Sequence, residues 1–451
     1  MIYKFIFHCP FTIDQEFKLN NQNFFTTIYH LRLTFYYLHF VLLDDSKRSQ
    51  MKIGILREGK TPPDKRVALS PAQCVQVQEQ YPELELVVQP SPIRRFIDAE
   101  YLTLGVNMQE NLSDCDVIIG VKEVPKKDLI PNKTYFYFSH TIKEQPYNRG
   151  LLLKMIDLNI RMIDYETLTN ANGKRLIGFG RYAGIVGCYN GFLTYGKRTG
   201  AYTLKEANLC DDRKEMESEF SKIKLPAIKI IVTGSGRVGN GVLEVINGIG
   251  VKEVSKEDFL NKEFDQAVFV HLNTLDYNTR IDGAEDSKPD FYANPKEYRS
   301  DFMKYARLSE FFIAGHYYSA DSPYLFTRED TKSADFKIRT VADVSCDIDG
   351  PVASTVRPST IADPIYGYNP LTESEDDFTK PGVIAVMAVD NLPCELPKDA
   401  SEDFGQELIK HILPCLLGDD TDGVISRATI CENGKLTKYY QYLNKYVEGI
   451  C

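Results

Sequence analysis

The stretch that most constrains this chain is a five-residue apolar run, Lys229–Thr233, followed without a break by Gly234-Ser235-Gly236-Arg237-Val238-Gly239. KIIVT is β-branched and apolar throughout its middle, which suits a strand buried on both faces. A helical pattern follows over 240–248. Each glycine in such a strand–turn–helix unit has a physical use. Gly234 permits the tight turn, Gly236 lets the backbone approach a pyrophosphate, and Gly239 lets the helix pack closely on the strand. The helix amino terminus adds free N–H groups and the positive end of its dipole. A tight turn that binds nothing has the same local spelling, but the strand before it and the helix after it are the context that dinucleotide binding requires. An acidic residue about 20 residues further on usually meets the adenosine ribose. Glu253 stands in that region and suits NAD; Ser255 and Lys256 beside it suit the 2′-phosphate of NADP, so both cofactors remain open.

From Met51 onward, short apolar runs alternate with helical patterns. Runs at 53–56, 84–88, 117–121, 134–138 and 161–164 predict strands, with helices over 70–79 and 149–158 and Asn148 as a cap. A second series continues after the glycine turn at 267–271, 311–314, 339–343 and 383–388, and helices are expected at 402–417 and 435–446. Strand–helix alternation at this spacing predicts an α/β chain with parallel, helix-covered sheets. A second glycine cluster, Gly178-Phe-Gly180-Arg-Tyr-Ala-Gly184-Ile-Val-Gly187, follows no long apolar strand and reads as a hinge opening a close-packed crossing helix.

Composition excludes several classes. With 43% hydrophobic and 26% charged residues, the chain has material for a sizeable core and is not disordered as a whole. Lys+Arg 53 against Asp+Glu 63 leaves a net charge of −10, which argues against sequence-independent nucleic-acid binding. Ten scattered cysteines form no CxxC pair and no zinc-spaced Cys/His cluster, so no metal is expected. They fit a reducing compartment such as the cytoplasm. Residues 1–50 differ in character. They are dense in Phe, Tyr, Ile and Leu from 24 to 43, but His30, Arg32 and His39 break a membrane span. We expect Met51 to be the functional start and 1–50 to lie outside the fold; no membrane association is expected for 51–451.

Ligands of open α/β sheets bind beyond the carboxyl ends of the strands. Several polar residues fall at such places. Lys122 and Glu123 follow the run at 117–121, Ser139, His140 and then Lys143 follow 134–138, Asp164 and Glu166 close 161–164, and Arg66 lies in the loop after the first strand. Amine–carbonyl chemistry with hydride transfer needs a proton acceptor for the amine and a second group to activate water. A lysine with a depressed pKa and a histidine fill those needs, and arginine grips carboxylates bidentately. The set suits an amino acid dehydrogenase.

REGKTPPDKRVALSP at 57–71, VIIGVKEVP at 117–125, YFYFSHTIKEQ at 135–145, RMIDYETL at 161–168, VADVSCDIDG at 341–350 and VDNLPCELPKDAS at 389–401 carry a resemblance to a known family. The chain from Met51 to about Cys415 resembles the lysine-forming saccharopine dehydrogenases, especially the lysine–ketoglutarate reductase half of the bifunctional animal and plant enzyme. More remotely it is similar to alanine dehydrogenase and the transhydrogenase dinucleotide-binding subunit. The resemblance implies two Rossmann-like domains with parallel sheets and an active site in the cleft between them. The substrate domain would span 51–180, completed by 400–451, and the dinucleotide domain 181–399. It further implies interconversion of saccharopine with lysine and 2-oxoglutarate using NAD or NADP. Lys122 would take the amine proton, and His140 would be the acid–base partner. Glu123 and Glu166 would tune them; Arg66, Lys143 and Arg175 would bind substrate carboxylates, and Asp390 would face the cleft from the second domain. Gly234, Ser235, Gly236, Arg237, Val238 and Gly239 would hold the pyrophosphate, with Glu253 at the ribose. Fungal members carry a cysteine where this chain has Val238, so no regulatory disulfide is expected there. An alanine dehydrogenase-like enzyme and a dinucleotide-binding sensor without catalysis are the alternatives.

Overall fold

The protein is seen in a computed structural model that describes residues 51–450. The expectation about 1–50 concerns residues outside that range. The first apolar runs become β1 (Lys52–Ile55), β2 (Glu85–Val88), β3 (Asn107–Met108), β4 (Val117–Lys122), β5 (Thr134–Phe138) and β6 (Arg161–Asp164). They lie in the order β3-β2-β1-β4-β5-β6, every pair parallel. Helix α1 (Pro71–Gln80) opens on a capping box in which the Ser70 side chain accepts from the Gln73 backbone N–H. Helix α2 (Pro146–Asp157) begins earlier than the sequence suggested. Pro146, whose fixed φ suits a first helical position, sets the start, and Gln145 is the cap. Asn148 is buried inside the helix and donates to the His140 carbonyl at 3.3 Å, so it is not a cap.

The second glycine cluster opens α3 (Gly180–Thr199), a long and largely buried helix. It packs against α4 (Arg237–Ile249), the helix that follows β7 (Lys229–Thr233) and the glycine turn. The approach is so close that a Cβ on Gly184 would sit 2.0 Å from the Val238 carbonyl oxygen. Only a glycine admits backbone at that distance.

The second sheet continues with β8 (Lys252–Glu253) and β9 (Val268–Leu272). A separate ribbon of β10 (Asn278–Arg280) and β11 (Tyr298–Ser300) leads on to β12 (Phe311–Ala314), β13 (Thr340–Asp343), β14 (Ile365–Asn369), β15 (Ser374–Asp376) and β16 (Ile384–Met387). The order is β15-β14-β16-β13-β12-β7-β9-β8. Strands β14 and β15 are antiparallel and the remainder parallel. In both sheets the strand order reverses beside the first strand, next to β4 in one and β12 in the other, and such a switch point is where α/β sheets bind ligands. The architecture is therefore α/β with two largely parallel sheets, as the sequence predicted.

After α5 (Pro397–Glu407) the chain returns to the first sheet. Strand β17 (Thr429–Glu432) pairs antiparallel with β6, and β18 (Lys435–Leu436) pairs with β17. The sequence predicted a helix over 435–446. The structure instead has a tight hairpin at Asn433-Gly434, both at positive φ (51° and 71°), as a two-residue turn between twisted strands requires. Only Lys435–Leu436 of the expected helix is strand; a 3-10 helix follows at Lys438–Leu443 and an α-helix at Asn444–Glu448. No helix among the described residues is long and apolar enough to cross a membrane.

Candidate active site

Strand ends of the two sheets face one cleft of about 770 Å³. One wall is charged. Lys122, the last residue of β4, is held by its neighbours: the Val121 and Lys122 backbone N–H groups donate to the two carboxylate oxygens of Glu58 at 2.7 and 2.8 Å. Burial, with the Asp64 charge beside it, pushes Glu58 up to about 8. Burial also holds Lys122 below the usual lysine range, and the Arg66 and Lys60 cations add to the effect. The Lys122 ammonium lies 5.8 Å from the centre of the Phe138 ring. Arg66, only 2% exposed, forks onto Asp64 through Nε at 3.0 Å and Nη2 at 2.5 Å, and stacks 4.1 Å over Phe179. Burial raises Asp64, but the Arg66 cation outweighs it and holds the carboxyl at about 2.

His140 follows β5 with a left-handed φ of 55°, and its ring lies nearly parallel to that of Phe138. Buried Asp164, at the end of β6, pins the surrounding loops. Its carboxylate accepts from the Ser139 N–H at 3.0 Å and the Glu166 N–H at 2.7 Å. This sets Glu166 Oε2 3.4 Å from His140 Nδ1 and Glu166 Oε1 3.4 Å from Lys143 Nζ. Burial pushes Glu166 up, yet the His140 contact and the Lys143 and Arg175 cations hold it at about 2. The Arg175 guanidinium lies 5.4 Å from the Phe138 ring centre. The charges of this wall are thus mutually dependent: removing one leaves a buried partner uncompensated.

The opposite wall is backbone. Gly234 has φ 101°, and a Cβ there would meet the Gly315 carbonyl oxygen at 2.1 Å. Gly239 is as tight against the Gly234 carbonyl, while nothing lies within 4 Å of a Cβ built on Gly236, the residue that opens α4. The turn is closed where it meets the protein and open where a pyrophosphate would approach. That geometry fits a dinucleotide. Arg237 reaches across to the first wall, its Nη2 donating to the Leu176 carbonyl at 2.5 Å.

The cleft brings together Arg66, Lys122, His140, Glu166 and Arg175 from the first wall, and Gly234, Ser235, Gly236, Arg237, Val238 and Asp390 from the second. It does not bring in Glu123, which pairs with Lys60 at 2.7 Å behind the wall, nor Lys143, half-exposed beside Glu166. Nor does Glu253 line the cleft. It stands exposed on β8, the outermost strand, because β9 inserts between β8 and β7. The strand end beside β7 is therefore that of β9, from which Thr274 lines the cleft. Sequence reasoning also missed Glu58, Asp64, Lys174, Asn391 and His316. Glu58 and Asp64 lie in the loop where Arg66 was noticed, and an acid two residues from a buried arginine was the available signal. Among the described residues no group of His, Cys, Asp and Glu is arranged to hold a metal ion.

Comparison with known proteins agrees with the geometry. The alanine dehydrogenase/PNT N-terminal domain family matches residues 54–186. The mitochondrial alpha-aminoadipic semialdehyde synthase of Bos taurus is 28% identical over 417 residues, covering 81% of this chain and 45% of that protein. The NAD+, L-lysine-forming saccharopine dehydrogenase of Yarrowia lipolytica is 26% identical over 396 residues, covering 83% of this chain and 94% of that one. This chain therefore spans less than half the length of the curated synthases it matches, and nearly the full length of the fungal enzyme. Among solved structures, an L-alanine dehydrogenase superposes with a TM-score of 0.60 at 16% identity, covering 89% of this chain and all of that one. A transhydrogenase from Sinorhizobium meliloti superposes at 0.52 and 13% identity, covering 86% and 98%. These likenesses show the fold. The family found by comparison is the one that the sequence motifs resemble.

Proposed function

We propose that this chain is a nicotinamide dinucleotide-dependent oxidoreductase that interconverts saccharopine with L-lysine and 2-oxoglutarate. The observation that carries the proposal is a half-buried lysine and an imidazole lining the same cleft as an open glycine turn. Residues 51–180 with 400–451 would form the substrate lobe, and 181–399 the dinucleotide lobe. The bound dinucleotide supplies or accepts the hydride at the substrate carbon that carries the secondary amine. Lys122 takes the proton of that amine as the carbon–nitrogen bond is oxidised; burial, Arg66 and Lys60 favour its neutral, proton-accepting form. His140 then moves protons to and from the water that splits the imine, with Glu166 fixing the imidazole through Nδ1. Lys60 sets Glu123 behind Lys122, where it balances the local cations. Arg175 and Arg66 in the cleft, with Lys143 at its rim, meet substrate carboxylates, and Asp390 faces them from the opposite wall. Saccharopine has three carboxylates, which suits a cation-rich wall better than alanine does, with one.

The test is purified protein with lysine and 2-oxoglutarate and either NADH or NADPH, followed by absorbance at the reduced nicotinamide band. We expect turnover with one of the two. Turnover on pyruvate and ammonia but not on lysine would establish an alanine dehydrogenase-like enzyme instead. Cofactor binding without turnover on any amino acid would identify a sensor.

A further inference from the structure

His316 lies at the far end of β12, two residues beyond Ala314, and borders the cleft directly behind the glycine turn. It is 8% exposed. Its Nδ1 lies 2.8 Å from the Thr233 hydroxyl, which fixes the ring, and its backbone N lies 2.8 Å from where a Cβ on Gly234 would stand. Nε2 is buried without a hydrogen-bond partner among the described residues. A buried polar atom left unpaired costs about 1–3 kcal/mol, so such an atom on a binding cleft implies a ligand group that completes it.

The chemistry of that group follows from three observations. Burial pulls the imidazole down to about 4, so the ring is neutral at physiological pH and is not a counter-ion for phosphate. A neutral ring held at Nδ1 by a hydroxyl presents Nε2 as donor or acceptor according to tautomer. A sugar hydroxyl serves either case; a phosphate oxygen serves only one. Position then selects the sugar. The pyrophosphate belongs over β7, and the adenosine half over the β9 side of it. Strand β12 lies on the other side of β7, toward β13 and β16. The nicotinamide half extends that way. We propose that His316 Nε2 hydrogen-bonds a hydroxyl of the nicotinamide-side ribose, making His316 a cofactor-positioning residue on the floor of the cleft. This rests on dinucleotide binding but not on the identity of the amino acid substrate.

The experiment compares two ligands that differ by that ribose. ADP-ribose carries it and ADP does not. Calorimetric titration of the full chain with each, for wild type and His316→Leu, should show ADP-ribose weakened about tenfold and ADP changed less than twofold. His316→Gln, which keeps a polar group near Nε2, should recover most of the loss. Equal weakening of both ligands, or of neither, would overturn the assignment. If the leucine variant does not fold, the ring resonances of wild-type His316 read the same contact: they should shift with ADP-ribose and not with ADP, and shifts common to both would overturn it. Neither measurement needs turnover, so loss of the lysine reading would leave this result intact.

Discussion

The two walls of the cleft begin from nearly the same topology and reach opposite solutions. Each is the carboxyl edge of six parallel strands, extended on one side by an antiparallel pair. The β4–β5–β6 edge is filled with charge: Glu58, Asp64, Arg66 and Lys122 influence one another's protonation, and His140, Lys143 and Arg175 set that of Glu166. The β7–β12 edge works by leaving side chains out, so that backbone N–H groups and a helix end are exposed to the ligand. The difference teaches where proton control and shape control reside. A charged wall is tuned by neighbours and responds to pH; a glycine wall is fixed by excluded volume and does not.

The sharpest way to break this division is Lys122→Met. It should lower turnover by about a thousandfold, within the range for a lost general base, while ADP-ribose affinity stays within twofold. A matched loss of nucleotide affinity in calorimetry would mean that the walls are not separable. Next in size is Gly184→Ala, whose methyl group would lie 2.0 Å from the Val238 oxygen. Overpacking of this kind should cost about 3 kcal/mol in urea unfolding and displace the glycine turn through α4, weakening ADP-ribose. An unchanged unfolding midpoint would show that α3 and α4 can part without cost. The smallest effect concerns pH. Glu166 is held at about 2 when folded, against about 4.3 in an unfolded chain, so its ionised form stabilises the fold above that unfolded value. That contribution is lost as pH falls from about 4.3 toward 2. The stability gap between wild type and Glu166→Gln should therefore narrow between pH 5 and pH 3, by on the order of 1 kcal/mol after allowance for solvent screening. A constant gap would detach Glu166 from the cations around it.

What the sequence disclosed follows the same division. The glycine turn was legible because its spacing, its strand and its helix are contiguous. Lys122, His140 and Glu166 were legible because each lies just beyond an apolar run. The place of Glu253 on the outermost strand was not legible because strand order is not chain order: nothing in residues 251–256 shows that β9 will insert beside β7. His316 passed unnoticed because its meaning depends on Thr233 and Gly234, more than eighty residues earlier in the chain. The hairpin at Asn433-Gly434 was available as a turn signal, but the residues after it have a helical composition that hid it.

The return of β17 to β6 has a consequence for synthesis. While the polypeptide emerges from the ribosome, the β6 edge, finished at Asp164, has no partner on that side until Thr429–Glu432 have been made. For that interval it presents a row of unpaired N–H and C=O groups, a template for association with other nascent chains. Deletions that remove β17 should therefore yield insoluble protein on expression even though every group bordering the cleft is still encoded.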